Sequence, residues 1–387
     1  MIDIGVVGAG AMGNGIAQVA AQSGHTVFVY DTRTEALEMA KGKLVSIMDR
    51  LVEKGKIDRE TADANVARVH YIDDLQAMRS AGLVIEAIIE NLDAKKSVFE
   101  NLEKVVSDDA ILASNTSSLS IASISAAVQK PERVIGIHFF NPAPLMPLVE
   151  IVPSLMTDES VTKTSKDLID SWKKVTVIAK DTPGFIVNRV ARPFYSESIK
   201  MYEEGVADPA TIDHALKTVG GFRMGPFELT DLIGHDVNYV VTETVWEAFF
   251  YDPRFKPSIS QKRLMEGKML GRKTGRGWFD YREGSDKPTP SEDVQLHAEI
   301  TDRVVTMLIN EAADALLMGI ASAKDIDLAM TKGVNYPKGL LAWADEIGIE
   351  TVLERLESLF EEYGDDRYRP CVLLKRMAKN GETFFKN

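Results

Sequence analysis

His138 and Glu150 are the residues in this sequence best suited to chemistry, and they stand twelve positions apart in the segment HFFNPAPLMPLVE. An imidazole oriented by a carboxylate is a recurrent way of building a general base. The apolar, β-branched run VIGIHFF predicts a buried strand that ends at the histidine. Asn141, Pro142, Pro144 and Pro147 force the chain to turn after it. LVEIV predicts a second strand, which carries Glu150. Such a strand–loop–strand excursion can return two groups twelve apart to hydrogen-bond distance.

The base has a partner motif at the start of the chain. Gly8, Gly10 and Gly13 form G-x-G-x-x-G, with Ala11 and Met12 in the same turn. Here the glycines lie between a strand (IDIGVV) and a helical pattern, where they permit a tight turn and close approach of a pyrophosphate to backbone amides. An acid, Asp31, ends the next strand. That pattern predicts dinucleotide binding. Asp31 would accept from ribose hydroxyls and repel a 2′-phosphate, which favours NAD over NADP; Arg33, two residues on, acts the other way. A general base beside a bound dinucleotide suggests removal of an alcohol proton during hydride transfer.

Other candidates have two readings each. Glu90 and Lys95, after the apolar run LVIEAI, are either cofactor contacts or a solvated acid and lysine in a first helical turn. The cluster ASNTSS (113–118) either meets a nicotinamide, or a substrate oxygen through Ser117, or simply caps a helix. Asn188, in DTPGFIVNR, is a polar residue at an apolar helix start: a substrate contact or a satisfied interdomain hydrogen bond. For His138 the plain reading is a buried structural histidine, but Glu150 and the dinucleotide loop favour catalysis. His25, His70, His214, His235 and His297 lack metal-ligand spacing, so no metal is expected.

These residues need scaffolds. With 387 residues the chain should form two or three domains, and 45% hydrophobic content suffices for their cores. A net charge of −13 argues against nucleic acid or anionic lipid as partners. The single cysteine, Cys371, excludes an intrachain disulfide and points to a reducing compartment. No apolar run is long enough to cross a membrane, and a first strand from Ile2 leaves no room for a targeting peptide. The expected location is the cytoplasm.

Strands 2–7, HTVFVY ending at Asp31, LVIEAI, ILASNTSS and VIGIHF alternate with helical pattern, including one long charged helical stretch over Glu35–Val66. That alternation predicts a parallel, doubly wound α/β sheet, closed by VTVIAKD (175–181). From Gly184 the pattern is helical. Residues 188–234 repeat at 302–348 without a gap: Arg189, Glu197, Gly205, Ile212, Asp213, Gly225, Asp231 and Gly234 meet Arg303, Glu311, Gly319, Ile326, Asp327, Gly339, Asp345 and Gly348. Both copies continue to a Lys-Arg pair, Lys262-Arg263 and Lys375-Arg376, and the second copy is shorter: GRKTGRGW (271–278) has no counterpart. The expected domains are 1–182, 183–282 and 294–387, the last two being duplicated all-α domains joined by the Pro-rich linker 283–293. A linker this short should dock the second copy on the first as a built-in pseudo-dimer partner. It should not form a second active site, because Asp302 replaces Asn188.

Taken in order and spacing, GAGAMGNGIAQ, SNTSSL, HFFNP…LVE and DTPGFIVNR resemble the L-3-hydroxyacyl-CoA dehydrogenase family over residues 2–282. The resemblance implies a Rossmann-like NAD-binding domain, a helical domain, and oxidation of a (S)-3-hydroxyacyl-CoA thioester to the 3-ketoacyl-CoA in the cleft between them. It implies that His138 is the base, Glu150 its partner, and Ser117 and Asn188 substrate contacts. The implied cofactor contacts are Gly8, Gly10, Ala11, Met12, Gly13, Asp31, Glu90, Lys95, Ser117 and Asn141. Lys54 matches a lysine that meets coenzyme A phosphates. The extra helical copy resembles the tandem arrangement of multifunctional β-oxidation proteins and of some phenylacetate-pathway dehydrogenases. Pro147 departs from the lysine of many single-copy members, which bears on acyl-chain preference. Two rivals remain at this point. Other β-hydroxyacid dehydrogenases share the glycine opening but use a catalytic lysine and leave HFFNP unexplained. Lens lambda-crystallin resembles the same family, so fold alone admits a structural role. The acyl group, such as 3-hydroxybutyryl or the dicarboxylic 3-hydroxyadipyl, is left open.

Overall fold

The computed structural model describes residues 2–286 and 288–385; Lys287 of the expected linker and the terminal Met1, Lys386 and Asn387 fall outside the described residues. The chain divides into two compact units, Met1–Thr182 and Pro183–Asn387.

The first unit runs β1 (Asp3–Val7), α1 (Ala11–Gln22), β2 (Val27–Tyr30), α2 (Thr34–Glu53), α3 (Arg59–Ala67), β3 (Val69–Ile72), β4 (Ala81–Glu86), α4 (Leu92–Glu103), β5 (Ile111–Ser114), α5 (Ile121–Ser125), β6 (Val134–Phe139), β7 (Leu148–Pro153), α6 (Glu159–Ser171) and β8 (Val175–Ile178). The strands form one sheet ordered β3-β2-β1-β4-β5-β6-β7-β8. Strands covered on both faces need continuous apolar runs, and Ile4, Val6, Leu83, Ile85, Leu112, Ile135 and Ile137 are wholly buried. β1 pairs with β2 on one side and β4 on the other. Chain order reverses there, so ligands are expected beyond the carboxyl ends of these strands.

This Rossmann-like unit departs from the sequence reading in local detail. β7 runs antiparallel to β6, while the other strand pairs are parallel. The charged stretch Glu35–Val66 is two helices: Gly55, at φ 62°, breaks α2, and Asp58 caps α3 by accepting from the Thr61 amide. VHYI, unread in the sequence, is edge strand β3. β5 stops at Ser114, whose hydroxyl accepts from the Thr116 amide, and β8 stops at Ile178.

The second unit is helical: α7 (Val187–Val190), α8 (Arg192–Glu203), α9 (Pro209–Thr218), α10 (Pro226–Ile233), α11 (His235–Ala248), α12 (Ile259–Glu266), then α13 (Val294–Leu317), α14 (Ala323–Gly333), α15 (Leu340–Ile347), α16 (Ile349–Tyr363) and α17 (Val372–Asn380). The starts of α9, α10 and α11 map by the 114-residue offset onto those of α14, α15 and α16. The repeated residues hold equivalent joints. Asp213 accepts from the amides of Phe227 and Glu228 at 2.9 and 2.8 Å, and Asp327 from those of Leu341 and Ala342 at 2.8 and 2.9 Å. A Cβ on Gly225 or Gly339 would fall 2.2 or 2.3 Å from the respective carboxylate carbon, which is why both copies keep glycine there. Asp231 holds the amides of Trp278 and Phe279, and Asp345 those of Phe384 and Phe385. The end of GRKTGRGW therefore does have a counterpart, displaced in sequence by a shorter loop.

Between the copies lies a reciprocal pair of buried ion pairs. Arg189 Nε donates to Glu311 Oε1 at 2.6 Å, and Arg303 Nε to Glu197 Oε1 at 2.6 Å. Arg189 also meets Asp314, and Arg303 meets Glu204. In the Arg189–Glu311 and Arg303–Glu197 pairs the same residue of each copy reaches the same residue of the other, as at a two-fold interface. Removing one member of a buried pair strands a charge, whereas replacing both by apolar groups is often neutral. Glu311→Ala should therefore destabilise the helical unit by about 3–5 kcal/mol, and Arg189→Met with Glu311→Leu by clearly less. Calorimetric unfolding of the two variants checks this; equal losses would mean that packing, not charge, carries the joint.

Candidate active site

The antiparallel register of β6 and β7 sets His138 directly opposite Glu150. Both side chains are buried, and His138 Nδ1 lies 2.7 Å from Glu150 Oε2. A carboxylate only accepts, so Nδ1–H donates and the basic lone pair is placed on Nε2. The Phe140 ring packs at 4.5 Å from the imidazole. The turn that follows is held from beneath. Lys174, at the foot of β8, donates from Nζ to the carbonyls of Ala143 and Met146 at 2.6 and 2.8 Å. Burial pushes its ammonium below the usual lysine range.

Next to this hairpin a second network joins β4, α4 and β5. Glu86, wholly buried at the end of β4, accepts from Lys95 Nζ at 2.6 Å, Ser114 Oγ at 2.6 Å and the Ile88 amide at 2.7 Å. Lys95 also reaches Glu90, at 3.3 Å. Glu90 in turn accepts from Thr116 Oγ1 at 2.5 Å and from the Ser117 amide at 3.0 Å. Burial acts to raise the Glu90 carboxyl, but Lys95 and these donors outweigh it and hold it below the usual carboxylate range. Asn115 links the two networks, accepting from the Phe139 amide at 2.8 Å. Asp181 closes the loop after Ser117 by accepting from the amides of Ile121 and Ala122 at 3.0 and 2.7 Å.

The glycine turn has the shape a pyrophosphate needs. Gly8 sits at φ 107°, and a Cβ there would lie 2.6 Å from the Ala87 carbonyl. A Cβ on Gly13 would lie 1.8 Å from the Gly8 carbonyl, whereas one on Gly10 would meet open space. The first amides of a helix have no intrahelical acceptor. In α3, α4 and α6 a side chain caps the start, but α1 has no side-chain cap and no acid in its first turn. Its amides and positive end are left for an anion. Asp31 Oδ2 accepts from the Ala9 amide at 2.9 Å and Oδ1 from the Arg33 amide at 3.0 Å, which fixes its carboxylate beside the turn. These residues fit a dinucleotide.

Of the residues singled out from sequence, Gly8, Gly10, Ala11, Met12, Gly13 and Asp31 fall together at the glycine turn. Glu90, Lys95 and Ser117 are joined in one network, and His138 and Glu150 in one pair, with Asn141 in the exposed loop that follows. Lys95 is more deeply buried than a solvated helix lysine, between Glu86 and Glu90. Lys54 stands apart on the exposed C-terminal end of α2, and Asn188 lies in the helical unit on α7. Glu86, Lys174 and Asp181 were not picked out from the sequence. An acid inside the apolar run LVIEAI needs a buried partner, and that signal could have exposed Glu86. Lys174 and Asp181 carry no comparable signal.

Comparison with known proteins agrees with this geometry. Residues 3–182 match the NAD binding domain of 3-hydroxyacyl-CoA dehydrogenase, and residues 184–281 and again 300–386 match its C-terminal domain. The chain belongs to the 3-hydroxyacyl-CoA dehydrogenase family. It is 40% identical to a protein of Escherichia coli K12 named 3-hydroxyadipyl-CoA dehydrogenase, over 97% of each chain. It is 38% identical to a probable 3-hydroxybutyryl-CoA dehydrogenase of Deinococcus radiodurans, over 72% of this chain and 99% of that one. The crystal structure of a 3-hydroxybutyryl-CoA dehydrogenase from Escherichia coli K12 matches with a TM-score of 0.92 at 38% identity, over 98% of this chain and 99% of that one.

Because Asp31 is fixed beside the turn, kcat/KM should be clearly higher with NAD(H) than with NADP(H), and Asp31→Ala should narrow the gap. Equal values for the two cofactors in the unaltered protein would instead identify Arg33 as a phosphate ligand.

Proposed function

We propose that this chain oxidises (S)-3-hydroxyacyl-CoA to 3-ketoacyl-CoA through His138 as general base. The observation that carries the reading is the 2.7 Å His138–Glu150 bond, in a unit that opens with a nucleotide turn. NAD, when bound, supplies the hydride acceptor. His138 Nε2 takes the proton of the 3-hydroxyl, and Glu150 keeps the ring in one tautomer and stabilises the imidazolium. Ser117, whose amide is held by Glu90, and Asn188 contact the oxygen as it becomes a carbonyl. Gly8, Gly10, Ala11, Met12, Gly13, Asp31, Glu90, Lys95 and Asn141 serve the cofactor, and Lys54 meets the coenzyme A phosphates. Base assistance of this kind is worth about two to four powers of ten in rate. A purely structural relative has no need of an imidazole and a carboxylate buried together. Among the described residues no helix is long and apolar enough to cross a membrane. We place the protein in the cytoplasm because its single cysteine, Cys371, can form no intrachain disulfide.

His138→Gln should lower kcat at least about 100-fold while leaving NADH binding nearly intact. Glu150→Gln should cost less, and the double variant should fall short of the product of the two. A His138 variant that keeps most of its kcat would show the residue to be structural.

We also propose that the second helical copy stands in for a partner subunit. The reciprocal Arg189–Glu311 and Arg303–Glu197 pairs support this reading, since a single copy would leave those groups uncovered. The intact chain should then be monomeric, or assemble through another surface, with one active site per chain. Deletion of residues 294–387 should give dimers or aggregates. Light scattering on both proteins decides; a soluble, active, monomeric truncation would overturn the reading.

A further inference from the structure

Arg192 opens α8, one helical turn beyond Asn188. Ala191 between them keeps helical backbone angles (φ −79°, ψ −9°), so residues i and i+4 share a face. The Arg192 side chain is 4% exposed. Nη1 donates to Thr242 Oγ1 at 2.9 Å, and buried Nε has no hydrogen-bond partner among the described residues. The guanidinium lies over the Tyr195 ring, 4.9 Å from its centre. The ionisable groups that act on it are the phenols of Tyr195 and Tyr336, and no carboxylate is among them. Arg189, Arg254 and Arg303 of the same unit, with side chains at most 12% exposed, each hold at least one carboxylate.

A buried cation without a counter-ion is costly, so the position needs a reason. The duplicated copy shows that the fold does not supply one. By the 114-residue offset Arg192 becomes Thr306, Thr242 becomes Leu356, and Tyr336 answers to Phe222, all of them buried. The scaffold packs these positions without charge. Unused donors accompany it instead: Arg192 Nε, Ser196 Oγ one turn further along the helix, and the Tyr336 hydroxyl of the second copy are all buried without a partner among the described residues. Donors of this kind fit an anion that comes and goes with the substrate.

We propose that Arg192 binds a terminal carboxylate on the acyl chain, with the Tyr336 hydroxyl as a second donor, so that the preferred substrate is a dicarboxylic 3-hydroxyacyl-CoA. The proposal rests on the reading of the chain as a 3-hydroxyacyl-CoA dehydrogenase with Asn188 at the substrate. A turn of helix rises about 6 Å between Asn188 and Arg192, a span that matches the few carbons between the 3-position and the far carboxyl of a six-carbon diacid.

Initial rates with 3-hydroxyadipyl-CoA and with 3-hydroxyhexanoyl-CoA, equal in length but ending in methyl, test this. The unaltered protein should favour the diacid, by on the order of 100-fold in kcat/KM. Arg192→Met should remove most of that ratio, and Arg192→Lys, which keeps the charge, should retain part of it. If Arg192→Met does not fold, the unaltered protein and Arg192→Lys still decide. Comparable kcat/KM for the two thioesters in the unaltered protein, or a ratio unmoved by Arg192→Met, would overturn the carboxylate site and leave the reaction standing. Turnover of neither thioester would overturn the reaction, and this proposal with it.

Discussion

The hydrogen bond from His138 to Glu150 is the constraint around which the first unit is arranged. A carboxylate with no exposed surface, like that of Glu150, is tolerated only when it is hydrogen-bonded or paired. The partner must come from the neighbouring strand at the same level, and a directly opposed antiparallel pair provides that. This is the reason β7, with β8 parallel to it, runs against the other six strands of the sheet. The reversal in turn demands a short loop after His138. That loop's carbonyls are taken up by the Lys174 ammonium, itself buried at the foot of β8. Histidine, loop and anchor therefore stand or fall together.

The same logic operates at β4. Glu86 is placed in the sheet's interior and must be satisfied by Lys95, Ser114 and a backbone amide. Because Lys95 spans Glu86 and Glu90, and Glu90 holds the Ser117 amide, the position of Ser117 is set by a buried charge network and not by loop conformation alone. Asn115 ties this network to the end of the His138 strand. Residues from three strand ends are thus locked to one another, which is what a site needs when its groups must be preorganised to a fraction of an ångström.

What was readable in the sequence followed from patterns that local physics enforces. G-x-G-x-x-G after a strand needs its glycines for reasons of contact: Gly8 and Gly13 have no room for a side chain. The twelve-residue His–Glu spacing was interpretable because strand, prolines and strand each announce themselves. Less was visible where the decisive partner is distant. Lys174 follows another lysine and is chemically unremarkable until its Nζ is found on two carbonyls about thirty residues upstream. β3 is a four-residue edge strand hidden behind a charged helix, and the Gly55 break inside that helical stretch is a single residue. The counterpart of the Trp278–Phe279 segment was missed because the loop before it is shorter in the second copy, although Asp345 holds it in the same way.

The duplication separates residues that make the helical fold from residues that use it. Asp213, Gly225, Asp231, Arg189 and Glu197 recur in the second copy with equivalent bonds, so they belong to the architecture. Asn188 does not recur. Its equivalent, Asp302, pairs with Arg355 at a half-exposed position. Arg192 does not recur either, and Thr306 shows that its site packs without charge. A residue retained in both copies says little about chemistry, whereas a polar residue kept in one and discarded in the other has lost a reason to be there. By that measure the first turns of α7 and α8 are where we propose the specific function of the helical unit, with the second copy as a complementary surface.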